Sequence, residues 1–227
     1  MAAYPMEYLD NQHTDDILVV QPTKNEWGSG MKPRAGNTRA QLIEAAYKVL
    51  AEKGYENCSV KDIAREAGVS PGLVHYHFAN KEDLLVSVVK EAANEYCQQM
   101  RHLRETVAED KLADAALAES MERTKSKADW YKLRYELYVL GLRNPAIQSG
   151  VKELFARGRE GIEETIQTVA GKPLPNGAEM SAILFACFEG LALQSFVDSE
   201  FDLEGAYRIL GQMVKQFLQT QSERERT

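Results

Sequence analysis

Apolar positions between residues 38 and 220 recur at intervals of three and four, and no stretch of useful length alternates with period two. The pattern predicts an all-α fold of about nine helices. Leu42, Ala45, Ala46, Val49 and Leu50, widened by Ile43, form the stripe of a first helix over about 38–53, which Gly54 ends. Val60, Ile63, Ala64 and Ala67 repeat the spacing behind Ser59, a good helix cap, and Asp62 sits in the first turn where its charge suits the helix dipole. Gly68 closes this second helix. Only Val69 then separates it from another cap, Ser70, with Pro71 at the first helical position, where a missing N–H costs nothing. Two short helices on a tight glycine turn make a helix-turn-helix. The second, about 70–77, is too poor in apolar residues to be mainly core. Tyr55, Val69, Val74 and Phe78 complete a small three-helix core.

Asn80 caps a long helix, about 81–105, whose stripe runs from Leu84 and Leu85 through Val88, Val89 and Ala92 to Leu103. At 1.5 Å per residue it spans about 37 Å, enough to join a small domain to a larger one. Further helices are predicted over Leu112–Met121, 128–143, 146–169, 178–198 and 202–220, with a break at Asn144-Pro145 and a loop at 171–177. Residues 1–36 lack sustained periodicity and read as a mostly disordered arm. Residues 37–81 read as the helix-turn-helix domain, and 82–227 as a domain for ligand binding and dimerisation.

Charge sharpens this division. The chain of 227 residues carries a net charge of −7, yet residues 31–81 hold eight Lys/Arg against five acids. The section with the helix-turn-helix is thus the basic one in an acidic chain, as a protein needs when one face meets DNA. Lys32, Arg34 and Arg39 form a further basic cluster, suited to phosphates or the minor groove. Three scattered cysteines (Cys58, Cys97, Cys187), no secretory signal and no run of about 18 apolar residues point to a cytoplasmic protein without disulfides or a membrane span. His75 and His77, two apart on a helix, face differently, and no Cys/His spacing fits zinc, so no metal or cofactor is expected. The chain has no phosphate-binding loop, nucleophile elbow or catalytic cluster and is not read as an enzyme.

A helix-turn-helix lays its second helix in the major groove of double-stranded DNA. Here that helix offers Ser70, Pro71, Gly72, Leu73, His75 and Tyr76. Pro71 and Gly72 let the backbone approach closely, and Leu73 suits a thymine methyl. His75 and Tyr76 reach towards base edges or phosphates. Ser59 and Lys81 stand at helix N-termini, which suit phosphates.

DIAREAGVSPGLVHYHFANKEDLL (62–85) resembles the DNA-binding segment of the TetR family of transcriptional regulators, over about 50 residues in all. The resemblance implies all-helical homodimers with an N-terminal DNA-binding domain and a C-terminal domain for ligand and dimer contacts. It also places Pro71, Gly72, Leu73, His75, Tyr76 and Lys81 where the family contacts operator DNA. Many members carry Tyr where His75 stands. WYKLRYELYVLGLRNPAI and FEGLALQSF are more weakly similar to the family's C-terminal half, towards choline-pathway and multidrug-type repressors.

For an unknown small-molecule effector, composition singles out Trp130, Arg134, Tyr135 and Tyr138 on one buried helix, with Phe155, Phe185, Phe188, Glu189 and Gln194 on others. Arg134 among aromatics needs a partner: Glu136, Glu189 or a ligand carboxylate. The last two helices, apolar and with no large element left to cover them, predict a homodimer. Together these define a ligand-responsive regulator, a repressor binding a palindromic operator as a dimer and released by its effector. The alternative is a DNA-binding dimer without a small-molecule ligand, regulated by a protein partner or by cysteine oxidation.

Overall fold

The computed structural model describes residues 38–224. The predicted arm over 1–36, with Lys32 and Arg34, lies outside them. Nine helices follow one another among the described residues: α1 (Thr38–Asn57), α2 (Val60–Glu66), α3 (Pro71–His77), α4 (Lys81–Thr106), α5 (Glu109–Ser126), α6 (Ala128–Arg143), α7 (Pro145–Ala170), α8 (Gly177–Val197) and α9 (Leu203–Arg224). α1 breaks at Gly54, which adopts φ 70° and ψ 167°, and a further short turn carries it to Asn57. α5 is longer than the predicted Leu112–Met121. Its polar ends add no stripe, but Glu109 and Asp110 in its first turn and Arg123 and Lys125 in its last suit the helix dipole.

Local chemistry shapes the helix-turn-helix. The Ser59 hydroxyl accepts the Asp62 N–H at 3.1 Å, and the Asp62 carboxylate accepts the Ser59 N–H at 3.1 Å, a reciprocal cap on α2. Gly68, at φ 67°, turns the chain where any side chain would be strained. Asn80 caps α4, its side chain accepting the Asp83 N–H at 2.7 Å.

One apolar core runs from the helix-turn-helix into the body. Leu42, Ile63, Val74 and Phe78 join Leu85 and Val89 of α4, and these continue into Leu133 and Leu137 of α6 and Ile147 and Leu154 of α7. Polar ties reinforce the junction. The Tyr55 N–H donates to Glu136 of α6 at 3.0 Å, and the Tyr55 hydroxyl donates to Glu82 of α4 at 2.7 Å. Arg39, expected with Lys32 and Arg34 in a basic cluster, donates to Ser87 of α4 at 3.0 Å and lies 5.1 Å from the Phe78 ring centroid. A second cluster, around Ile166, Leu184, Leu210 and Val214, holds α7, α8 and α9 together.

The sequence reading places no membrane span. Among the described residues only α8 is long and apolar enough for one, by length and composition alone, with a mean hydropathy of 1.6 over its most apolar window. Its Glu189 is ion-paired to Arg134 of α6 within the fold.

Candidate DNA-binding face and effector cavity

α3 is held by its apolar side alone. Val74 and Phe78 are buried, Leu73 is half-buried, and Ser70, Pro71, Gly72, His75 and Tyr76 are exposed, Tyr76 at 82%. Ser70 makes no side-chain cap hydrogen bond, so its hydroxyl has no role in starting the helix. Of the residues on and before α3 expected to meet DNA, all but the half-buried Leu73 are exposed. Around α3 the basic groups differ in freedom. Lys53 and Arg65 both pair with Asp62. The Ser59 hydroxyl and Lys53 hold that carboxyl well below the usual carboxylate range. A phosphate near Ser59 would meet a fixed negative charge, and Ser59 serves first as a cap. Lys81 sits half-buried with its ammonium 4.1 Å from the Tyr55 ring centroid, at the start of α4.

Gly72 separates folding from function. A Cβ there would meet nothing closer than Ser70 Oγ at 3.9 Å. Gly72→Ala is therefore expected to stabilise α3 by about 0.5–1 kcal/mol while lowering operator affinity, because the added methyl would stand on the exposed face expected to meet DNA. A thermal melt and a gel-shift titration would check the two opposite signs. Unchanged DNA affinity would remove Gly72 from the contact surface.

The body contains a cavity of about 250 Å³ between α4, α5, α7, α8 and α9. Its wall is apolar where Met100, Leu117, Ile162, Ile166, Leu184 and Phe188 line it, and Arg101, Arg104 and Arg157 bring cations to it. Arg104 is engaged: it pairs with Glu164 at 2.6 Å and donates to Thr165 Oγ1 at 3.4 Å. Of the residues that composition singled out for the effector, only Phe188 lines this space. The residues missed had a signal, since Arg101 and Arg104 share a face of α4 and Ile162 and Ile166 a face of α7, but ordinary packing leaves the same signal.

The other singled-out residues lie beside the cavity. Trp130 and Tyr131 meet edge to face at 4.8 Å, and the Arg134 guanidinium lies 4.1 and 4.8 Å from their ring centroids. Arg134 pairs with Glu189, while Glu136, another of its possible partners, is committed to Tyr55. Tyr135 donates to the Glu189 carbonyl at 2.8 Å. Tyr138 packs on Phe155 at 4.7 Å, and Phe155 on Phe185 at 5.3 Å. Gln194 is exposed on α8, its amide donating to Gly190 within its own helix.

An exposed second helix of a helix-turn-helix, on a helical body with a cavity, fits a DNA-binding regulator, and comparison with known proteins names the family. The pattern described as "Bacterial regulatory proteins, tetR family" matches residues 42–88, and "Tetracyclin repressor-like, C-terminal domain" matches 108–218. The chain belongs to the TetR family and is a transcriptional regulator, not an enzyme.

It is 40% identical over 75 residues to the fatty acid metabolism regulator protein of Bacillus subtilis, covering 32% of this chain and 39% of that one. It is 28% identical over 166 residues to the regulator CymR of Pseudomonas putida, covering 71% and 81%. Among solved structures, Bacillus subtilis FadR in complex with stearoyl-CoA superposes with a TM-score of 0.61 at 21% identity, over 77% of this chain and 96% of that one.

Proposed function

We propose that the protein is a cytoplasmic repressor that binds a palindromic operator as a homodimer through α3 and is released when a small apolar molecule enters the body cavity. The observation that carries this reading is the pairing of an exposed α3 face with a cavity walled by α4, the helix that starts beside α3 at Lys81. Ser70, Pro71, Gly72, Leu73, His75 and Tyr76 meet the major groove, and Lys81 meets a phosphate. At 26 residues, or about 39 Å, α4 extends from that contact to the cavity wall at Tyr96–Arg104. A ligand that fits the cavity better in one spacing of the two recognition helices shifts the protein away from DNA. The similarity to a regulator whose solved complex holds stearoyl-CoA supports an elongated, largely apolar effector. A choline-like cation suits this chain less well, because Arg134 already occupies the faces of Trp130 and Tyr131.

Dimerisation rests on α8 and α9. Ile183, Leu193 and Val197 of α8 and Ile209 and Met213 of α9 are 48–80% exposed. Footprinting on the protein's own promoter should protect an inverted repeat whose half-sites lie about 34–36 Å apart, or a multiple of it. Protection of a single half-site would count against the dimeric reading.

The alternative of cysteine-controlled binding finds little support at Cys58. It is 4% exposed, and burial pushes its thiol up, with Lys81 opposing. Cys58→Ser and wild type are expected to bind operator alike with and without peroxide. Peroxide release of the wild type alone would restore the redox reading.

A further inference from the structure

Behind the cavity lies a buried polar cluster that the fold leaves half satisfied. Two residues of the cavity wall, Tyr96 and Phe188, border it. The Arg123 guanidinium lies 3.5 Å from the Tyr96 ring centroid, and Phe188 stacks on Tyr207 at 6.1 Å. Tyr207 shares a buried hydrogen bond of 3.1 Å with Ser120. Further in, Arg123 and Arg134 flank the Trp130–Tyr131 pair.

Both arginines have carboxylate partners, and both pairs are incomplete. Arg134 uses one terminal nitrogen on Glu189, while its Nε and the second Glu189 oxygen have no hydrogen-bond partner in the protein. Arg123 Nε stands 3.8 Å from Glu119 Oε2 without a hydrogen bond to it. Trp130, 3% exposed, also leaves its indole N–H without a partner. Unpaired donors at such depth are costly, and Arg–carboxylate pairs normally close as two parallel bonds.

We propose that this cluster is the head-group end of the effector site, and that it takes a carboxylate which displaces Glu189 from Arg134 and accepts the Trp130 and Arg134 Nε hydrogen bonds. The proposal rests on the effector role given above to the cavity, and names the ligand class: an apolar molecule with a terminal free carboxylate. One contrast favours this cluster over Arg104 on the cavity wall. Arg104 on the cavity wall donates to Glu164, Thr165 and the Gly161 carbonyl, whereas the Trp130 indole N–H and the Nε atoms of Arg123 and Arg134 are unpaired.

Calorimetric titrations with dodecanoate, dodecanol and dodecanoyl-CoA on wild type, Trp130→Phe and Glu189→Gln separate the possibilities. Dodecanoate should bind the wild type at least about tenfold more tightly than dodecanol. Trp130→Phe should erase most of that difference while leaving dodecanol unchanged, and Glu189→Gln, which removes the competing carboxylate, should tighten dodecanoate alone. Equal binding of acid and alcohol would overturn the head-group assignment and leave the cavity reading standing. A preference for the thioester would move the head to the outer arginines, and would overturn the assignment in the same way. No binding of any of the three would overturn both.

Discussion

Ile183→Glu combined with Met213→Glu should yield a folded monomer whose operator affinity falls by about 10²–10⁴-fold. On α8 the apolar and small residues Ile183, Ala186, Gly190, Leu193 and Val197 are spaced by three and four, the spacing of a helix–helix seam. Ile183, Leu193 and Val197 are 57%, 48% and 80% exposed, and Ile209 and Met213 of α9 are 48% and 60% exposed. Four helices meeting across a two-fold axis would cover both stripes. A glutamate at 183 or 213 disturbs little within one chain, since both positions face outward. In the dimer each would be a buried carboxylate without a partner, which costs far more than a lost contact. Losing the dimer loses the second half-site, hence the size of the effect on DNA. Sedimentation and gel shifts would read the two consequences, with circular dichroism confirming the helices. A double variant that still sediments as a dimer would place the interface elsewhere.

How far these features were legible in the sequence depends on the range of the interactions. The helix-turn-helix was readable because its determinants are neighbours: Ser59 with Asp62, Gly68 at the turn, Pro71 behind Ser70. The helices of the body were readable as stripes, except that the polar ends of α5 gave no periodic signal. Arg134 was recognisable as a buried charge in need of a partner, but the choice of Glu189 over Glu136 depends on how α6 faces α8 and α1. Tyr55 and Glu136 are 81 residues apart, and nothing local joins them. The cavity was the least legible feature. Composition finds bulky side chains, and α6 is richest in them, yet empty space arises where large residues fail to meet. Here that is among α4, α5, α7, α8 and α9, along stripes that look like ordinary core.

Leu137→Ala should lower the melting temperature in one step and carry the helix-turn-helix with it. Leu137 is fully buried on α6, in the same apolar cluster as Leu42, Ile63 and Val74 of the DNA-binding helices and Ile147 and Leu154 of α7. Removing most of a buried leucine costs about 2–5 kcal/mol, the range reflecting how far the cavity collapses. For a chain of this size each kcal/mol moves the midpoint by about 2–4 °C, so a fall of roughly 4–20 °C is expected. The division proposed at residues 81 and 82 is one of role, and the core does not break there. The sharper consequence is cooperativity. If α1 to α3 drew their stability only from each other, the substitution would shift a late transition of the body and leave an early one in place. With Leu84, Leu85, Val88 and Val89 of α4 shared between both sides, fluorescence from the body and proteolysis within α1–α3 should report the same shifted midpoint. Coupling of this kind is what an effector in the body needs in order to move α3, since an independent helix-turn-helix would feel the cavity only as a tether feels its load. Two separated midpoints would therefore weaken the release mechanism as well as the shared core.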